Sequence, residues 1–466
     1  MPDDARPGNL GAGNSRTGNS RASNHLKRIL GLGFGVAVIF GGTVGVGILR
    51  LPGMIAEQLQ SEWLILLVWV LGGIYALLGA VSVAELGVAM PQAGGFYVYS
   101  RRAFGPGTGF AMGWTDWLNN CAVIAYGAVA AAEYIASLLP GVTEQDTTLQ
   151  KGIALGLLAL FCGLHWLGLR VSSGIQKITS VVTAVTFVVL AVACFLHPRV
   201  PHVARFWGAG TAPGWAGWMA LLVPMVAALR AIMVTYDGWY AAIYFTEEDT
   251  DAAKHLPRLM ISGVLVVMGL YLLMNLAFLH VLSIPEMANS RLPAAEAARL
   301  VLPAWSGKFV TVLSLLTLLG LINAVLLGAP RILLAIGRDG LFSRRAAWVS
   351  ENGTPGVALL LSAAMAAVFL VSGRLEEIIA VAAILVAGMY CVNYIAVFRL
   401  RSREPRLKRP FRAWGYPLST GVVLAGSLVF LVAAIHDDPL SAAKALVLLM
   451  IAVPAYLWMR GRAKLT

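Results

Sequence analysis

The feature that most limits what this chain can become is a repeated one. Long apolar runs, for example 63–89, 151–166, 178–196 and 421–435, follow one another along almost the whole sequence. A helix crosses a bilayer with about 20 mostly apolar residues. In lipid every backbone polar group must be satisfied within its own segment or barrel, so runs of this length read as helices. Composition decides between a membrane protein and one very large soluble core. Apolar residues make up 58% of the chain and charged residues 12%, against about 25% charged in soluble domains. The chain is read as an all-α polytopic membrane protein with the lipid bilayer as its solvent.

Setting apolar runs against Pro, Gly and charge clusters predicts twelve spans, near 29–57, 63–90, 104–139, 150–168, 175–196, 218–246, 258–283, 303–338, 356–373, 375–400, 418–435 and 440–459. The net charge of +12 would suggest nucleic acid in a soluble protein. Here it follows from Lys and Arg concentrating in cytoplasmic loops. With the N-terminus inside, 24 of the 35 basic residues fall on the inner side, including seven between 399 and 412. Both ends are therefore expected in the cytoplasm and the protein in the cell (inner) membrane. Residues 1–24 are Gly-, Asn-, Ser- and Arg-rich and read as a disordered tail rather than a signal peptide. Residues 25–400 read as a ten-helix core, and 401–466 as a basic loop, helices eleven and twelve and a short tail. Cys121, Cys162, Cys194 and Cys391 all lie in apolar runs without CxxC spacing and read as packing residues.

Two spans are not ordinary. The first contains Phe40-Gly-Gly-Thr-Val-Gly-Val-Gly-Ile-Leu-Arg-Leu-Pro-Gly53, and the sixth contains Met233-Val-Thr-Tyr-Asp-Gly-Trp-Tyr240. Glycine weakens a helix by about 1 kcal/mol relative to Ala. Freed backbone at membrane depth is tolerated only where it lines a cavity or is buried in protein. Gly-rich membrane helices can equally serve close packing. The first and sixth spans, however, correspond if the chain is two five-helix repeats plus two helices. Interrupted helices at matching positions of two halves mark a transporter's substrate site.

A helix broken in mid-membrane exposes N–H groups on one half and carbonyls on the other. The N–H groups favour a carboxylate and the carbonyls an ammonium. Gly45, Val46 and Gly47 can present N–H groups with no bulky side chain in the way, and Thr43 and Val44 join them as candidate binding residues. The carbonyls of Val234, Thr235 and Tyr236, with Asp237, Gly238 and Trp239 beside them, suit a cation. A zwitterion fits both, so the expected cargo is an α-amino acid.

At these residues the chain resembles the amino acid–polyamine–organocation transporter superfamily, in particular its L-type amino acid transporter branch and bacterial relatives. The Thr43–Gly53 stretch is similar to the family's Gly-Ser-Gly-Ile-Phe break, with Val46 at the usual small polar position. Pro91-Gln-Ala-Gly-Gly-Phe-Tyr-Val-Tyr-Ser-Arg-Arg-Ala-Phe-Gly105 resembles the loop between helices two and three. Tyr236-Asp-Gly-Trp-Tyr240, Thr246-Glu-Glu248 and Leu256-Pro-Arg258 resemble the sixth helix and its exit. Asn323, Arg331 and Gly337-Arg-Asp-Gly340 resemble helix eight.

The resemblance implies a leucine-transporter-like fold, a 5+5 inverted repeat with helices one and six broken. It also implies a secondary active permease or exchanger working by alternating access, with Asn323 joining the site. A polyamine or other organic-cation transporter is the rival. Mid helix five reads Ser180-Val-Val-Thr-Ala-Val-Thr186, with Lys177 nearer the cytoplasmic end. A proton is one expected coupling ion, with sodium or none the alternatives. Val234 stands where the family has an aromatic gate.

An ionisable group inside a membrane is a functional candidate. Asp237 is read as lining the site, with backbone capping the alternative. Glu85 is expected against Arg101 or Arg102. Asp116 and Glu133 are read as either helix-pairing or proton-path residues, and Arg230 and Arg331 as partners of carbonyls or acids. His280 is read as ordinary. No metal-ligand spacing and no nucleophile–base motif occurs, so the expectation is no catalytic residues, no metal, no cofactor and no enzyme.

Overall fold

The computed structural model describes residues 26–140, 147–201, 215–372 and 375–463; the expected tail at 1–24 lies outside them. Its helices are α1 (Leu32–Thr43), α2 (Gly47–Leu59), α3 (Glu62–Ala89), α4 (Phe96–Phe104), α5 (Pro106–Ala136), α6 (Thr147–Trp166), α7 (Leu169–Leu196) and α8 (Trp215–Thr235). They continue as α9 (Ala252–Val281), α10 (Ile284–Ala288), α11 (Pro293–Val301), α12 (Ser306–Arg338), α13 (Gly356–Ser372), α14 (Leu375–Arg403), α15 (Leu418–Asp437) and α16 (Pro439–Ala463).

Eight of these helices are long and apolar enough to cross a membrane, and α1 with α2 forms one bent span. Three more bring the spans to twelve: α5, which carries Asp116, Asn119 and Asn120 in its interior; α8; and α13. At about 1.5 Å per residue, the 33 residues of α12 reach about 50 Å, beyond the roughly 30 Å hydrocarbon layer.

Burial separates centre from rim. In its most apolar stretch α12 is 67% buried and α16 only 17%. The exposed Val and Ile of α7, such as Ile178, Val181 and Val185, therefore face lipid, because a surface this apolar would not stand in water. In the centre α5 packs on α12, α3 on α9, and α1 sits among α7, α9 and α12. The short helices α10 and α11 lie against α2, where a Cβ on Gly53 would come within 2.4 Å of the Ser290 carbonyl oxygen.

The ionisable groups find acids and carbonyls, with one correction. Glu85 does not meet Arg101 or Arg102. It is held by Arg401 (2.5 and 2.8 Å), Arg409 (3.1 Å) and the Ala413 N–H (2.8 Å). Arg101 pairs with Asp339 and Arg102 with Glu404. The basic segment after α14 folds back under α3, a contact between residues more than three hundred positions apart. Nearness in sequence gave the wrong partner. Arg230 pairs with Asp437 at 2.6 Å. The His280 ring meets the His197 carbonyl at 3.0 Å.

Candidate functional site

The first break is backbone laid open. The axes of α1 and α2 differ by 48°, and Val44 turns out of the helix with extended geometry. Its N–H still donates to the Phe40 carbonyl (2.7 Å), and helical bonding resumes when Leu49 N–H donates to Val46 (3.1 Å). Between them, no carbonyl among the described residues accepts from the N–H groups of Gly45, Val46, Gly47 and Ile48. A Cβ on Gly45 would meet nothing nearer than the Tyr126 hydroxyl at 3.8 Å, so little shields these donors. The Thr43 hydroxyl oxygen is also buried without a partner. Donors of this kind at a helix start form an anion cradle.

The sixth break is richer in side chains. After Thr235 the chain turns through 236–240 and resumes as the 3₁₀ segment Ala241–Phe245, not as a second α-helix. Gly238 has φ +107°, and a Cβ there would stand 2.4 Å from the Gly42 carbonyl oxygen. The two breaks thus touch, through a residue that can only be glycine. Tyr390 of α14 donates its hydroxyl to Asp237. Val234 accepts from the Asp237 N–H (3.3 Å). The Tyr271 hydroxyl of α9 lies 3.0 Å from the Thr235 carbonyl and 3.1 Å from that of Thr43, tying the ends of α8 and α1 together. The carbonyls expected for the ammonium are therefore partly engaged, each keeping a second lone pair.

Between the breaks lies a cavity of about 340 Å³. Thr43, Gly45, Val46 and Gly47 line it from one side; Val234, Thr235, Tyr236, Asp237 and Trp239 line it from the other. Val44 is buried behind its neighbours. Gly238 faces a smaller chamber of about 30 Å³ that shares Asp237 and Asn119 with the main cavity. Asn323 is a correction: it is fully buried and lines neither space. Its amide donates to Gln176 (2.7 Å) and to the Ser172 carbonyl (3.1 Å) and meets the His165 ring (2.9 Å). It joins α12 to α7 and α6 instead of facing a cargo.

Sequence reasoning missed Asn119, Tyr126 and Tyr390, which line the cavity, and the tie made by Tyr271. A signal existed for the first pair. Asp116, Asn119, Asn120 and Tyr126 recur at helical spacing on one apolar span. Asp116 is itself buried; it accepts from Tyr244 (2.7 Å) and Asn120 (3.0 Å), which pins α5 to the segment beyond the sixth break. No local signal marked Tyr390 or Tyr271, because tyrosine is ordinary in a membrane helix.

Toward the N-terminal side the cavity is closed. Leu30 pairs with Asp249 as a short parallel bridge, and the N–H groups of Ile29 and Leu30 donate to Glu248 (3.1 and 3.0 Å). Phe34 meets Phe245 edge-on at 5.1 Å. Beneath them Glu248 forms a fully buried ion pair with Arg331 (3.0 Å), which also donates to the Leu327 carbonyl (2.7 Å). Breaking one partner of such a pair leaves an uncompensated buried charge, so the two move together or not at all.

A family model described as amino acid permease matches residues 35–457. The serine/threonine exchanger SteT of Bacillus subtilis is 26% identical over 94% of this chain and 98% of its own length. The b(0,+)-type amino acid transporter 1 of Mus musculus is 24% identical over 89% of this chain and 84% of its own. For the Asc-type amino acid transporter 1 of Homo sapiens the figures are 27%, 92% and 82%.

Proposed function

From the premise that this chain belongs to the amino acid permease family, we propose that the cavity between its two breaks holds an α-amino acid on its way across the membrane. The substrate carboxylate lies on the free N–H groups of Gly45, Val46, Gly47 and Ile48, with the Thr43 hydroxyl beside them. The ammonium faces Asp237 and the remaining lone pairs of Val234, Thr235 and Tyr236. The side chain projects toward Val123, Ile379, Val386 and Phe430, which line the same cavity. One observation carries the reading: the residues of three unanswered N–H groups, Gly45, Val46 and Gly47, and one carboxylate line a single cavity. A polyamine has no carboxylate for the first break.

Alternating access then requires the Leu30–Asp249 bridge and the Phe34–Phe245 contact to part while the cavity closes on the Arg50 side. The relative named as an exchanger supports exchange over simple uptake. The protein is a transporter, not an enzyme, and sits in the cell membrane with both ends in the cytoplasm. Labelling single introduced cysteines in intact cells should modify the His436–Asp438 loop from outside and spare the 399–412 loop; the reverse pattern would invert the topology.

Counterflow in proteoliposomes, with and without sodium and pH gradients, tests the cargo. Amino acids should compete, while their methyl esters and N-acetyl derivatives should not. Competition that survives loss of the carboxyl group would make the cargo an amine and remove the first break from the site.

A further inference from the structure

Two arginines deep within the spans are matched by acids. Arg331 faces Glu248 and Arg230 faces Asp437. Arg50 is different. Among the described residues no carboxylate lies within ion-pair distance of it, and its closest polar partner is the Tyr134 hydroxyl, 3.5 Å away. It is exposed, and it lines the central cavity.

Its position runs against local electrostatics. Arg50 is the fourth residue of α2, whose first turn carries no acid. A cation there opposes the helix dipole, which favours negative charge at a helix start. Among the described residues the cation is thus unmatched, and it stands beside a cradle of free N–H groups. Tyr134 lies at the end of α5, two turns beyond Tyr126. The guanidinium therefore stands at the mouth of the cavity, while Asp237 stands at its floor. These two are the sole carboxyl and basic side chains lining the cavity among the described residues.

Resting on the reading that the cavity takes an α-amino acid, we infer that Arg50 is its charge filter. It draws the substrate in by the carboxylate and turns away amino acids with a cationic side chain, so the substrate class is neutral amino acids. A zwitterion meets both wall charges in the favourable sense. The extra ammonium of a lysine-like substrate meets Arg50 at short range in a cavity with mostly apolar walls, where a like-charge contact is weakly screened. An exposed charge at a mouth also acts on approach, through an attraction that salt weakens.

The test is competition against labelled L-serine or L-leucine in proteoliposomes by L-lysine, L-glutamate and the two neutral amino acids. In the unaltered protein L-lysine should compete on the order of tenfold more weakly than the better neutral amino acid. Entry of the neutral substrate should slow as ionic strength rises. Arg50→Gln should narrow the lysine gap to within about threefold and flatten the salt dependence. Arg50→Lys, which keeps a positive point charge, should preserve both. L-lysine competing as well as a neutral amino acid in the unaltered protein, or an unchanged gap in Arg50→Gln, overturns the inference. The measurements on unaltered protein decide even if a variant misfolds. Failure of every amino acid to compete would instead sink the reading of the cavity itself.

Discussion

At the first break the chain offers backbone and almost nothing else; at the sixth it offers side chains. Gly45, Val46 and Gly47 follow the interruption of the first span with free N–H groups, beside one unpartnered hydroxyl, that of Thr43. At the sixth, Asp237 is fixed by a tyrosine from a helix more than 150 residues away, and α8 and α1 are laced by Tyr271. A carboxylate needs several convergent donors, which a helix start supplies without side chains. An ammonium needs acceptors and a counter-charge, and bare carbonyls give only the first. One end of the cargo is thus read by conformation, the other by side-chain chemistry, and the two should respond differently to substitution.

The largest effect is expected where the breaks touch. Gly238→Ala places a Cβ against the Gly42 carbonyl at a φ that L-residues avoid. It should abolish transport and lower stability by about 3 kcal/mol or more, read from exchange activity and the melting temperature in detergent. A variant that melts and transports normally would mean that the two breaks do not depend on each other.

Next comes bulk at the first break alone. Gly45→Leu fills open cavity rather than striking a wall, so the protein should still fold. Substrate binding should weaken by at least about a hundredfold, since the cradle is blocked outright. Gly45→Ala should be tolerated. Unchanged affinity in the Leu variant, properly inserted, would remove the N–H groups from the site.

Side-chain changes at the sixth break should be graded, not absolute. Tyr390→Phe removes the hydroxyl that holds Asp237 and should weaken binding roughly tenfold, the scale of one hydrogen bond to a charged group. Carboxyl-side analogues should lose no more than amino acids do. Smaller still, Tyr271→Phe frees the Thr43 and Thr235 carbonyls but leaves every substrate-facing group in place. About a threefold loss is expected. A Tyr271 effect exceeding that of Tyr390 would show that the splice between α1 and α8 matters more than the charge at Asp237.

Much of this was legible before any coordinates. Twelve spans follow from run length, because lipid forces each segment to satisfy its own backbone. The breaks follow from glycine, whose conformational freedom is local. Of the residues singled out at the breaks, Thr43, Gly45, Val46, Gly47, Val234, Thr235, Tyr236, Asp237 and Trp239 line the cavity, Val44 is buried behind it and Gly238 faces the smaller chamber. What failed was partner choice. Glu85 was assigned to arginines close in sequence, and Asn323 to a substrate, while the fold gave Glu85 to Arg401 and Arg409 and Asn323 to Gln176.

The residues themselves determined where the helix ladder must stop, since that depends on each residue's own backbone and its near neighbours. Which groups meet across the stops was decided only by tertiary packing. Tyr390 reaches Asp237 and Tyr271 spans Thr43 and Thr235 because α9 and α14 come together around the breaks, and among the described residues Arg50 meets no acid. Those encounters depend on distances between helices far apart in sequence, and a hydroxyl or guanidinium carries no mark of the partner it will meet until the helices are in place.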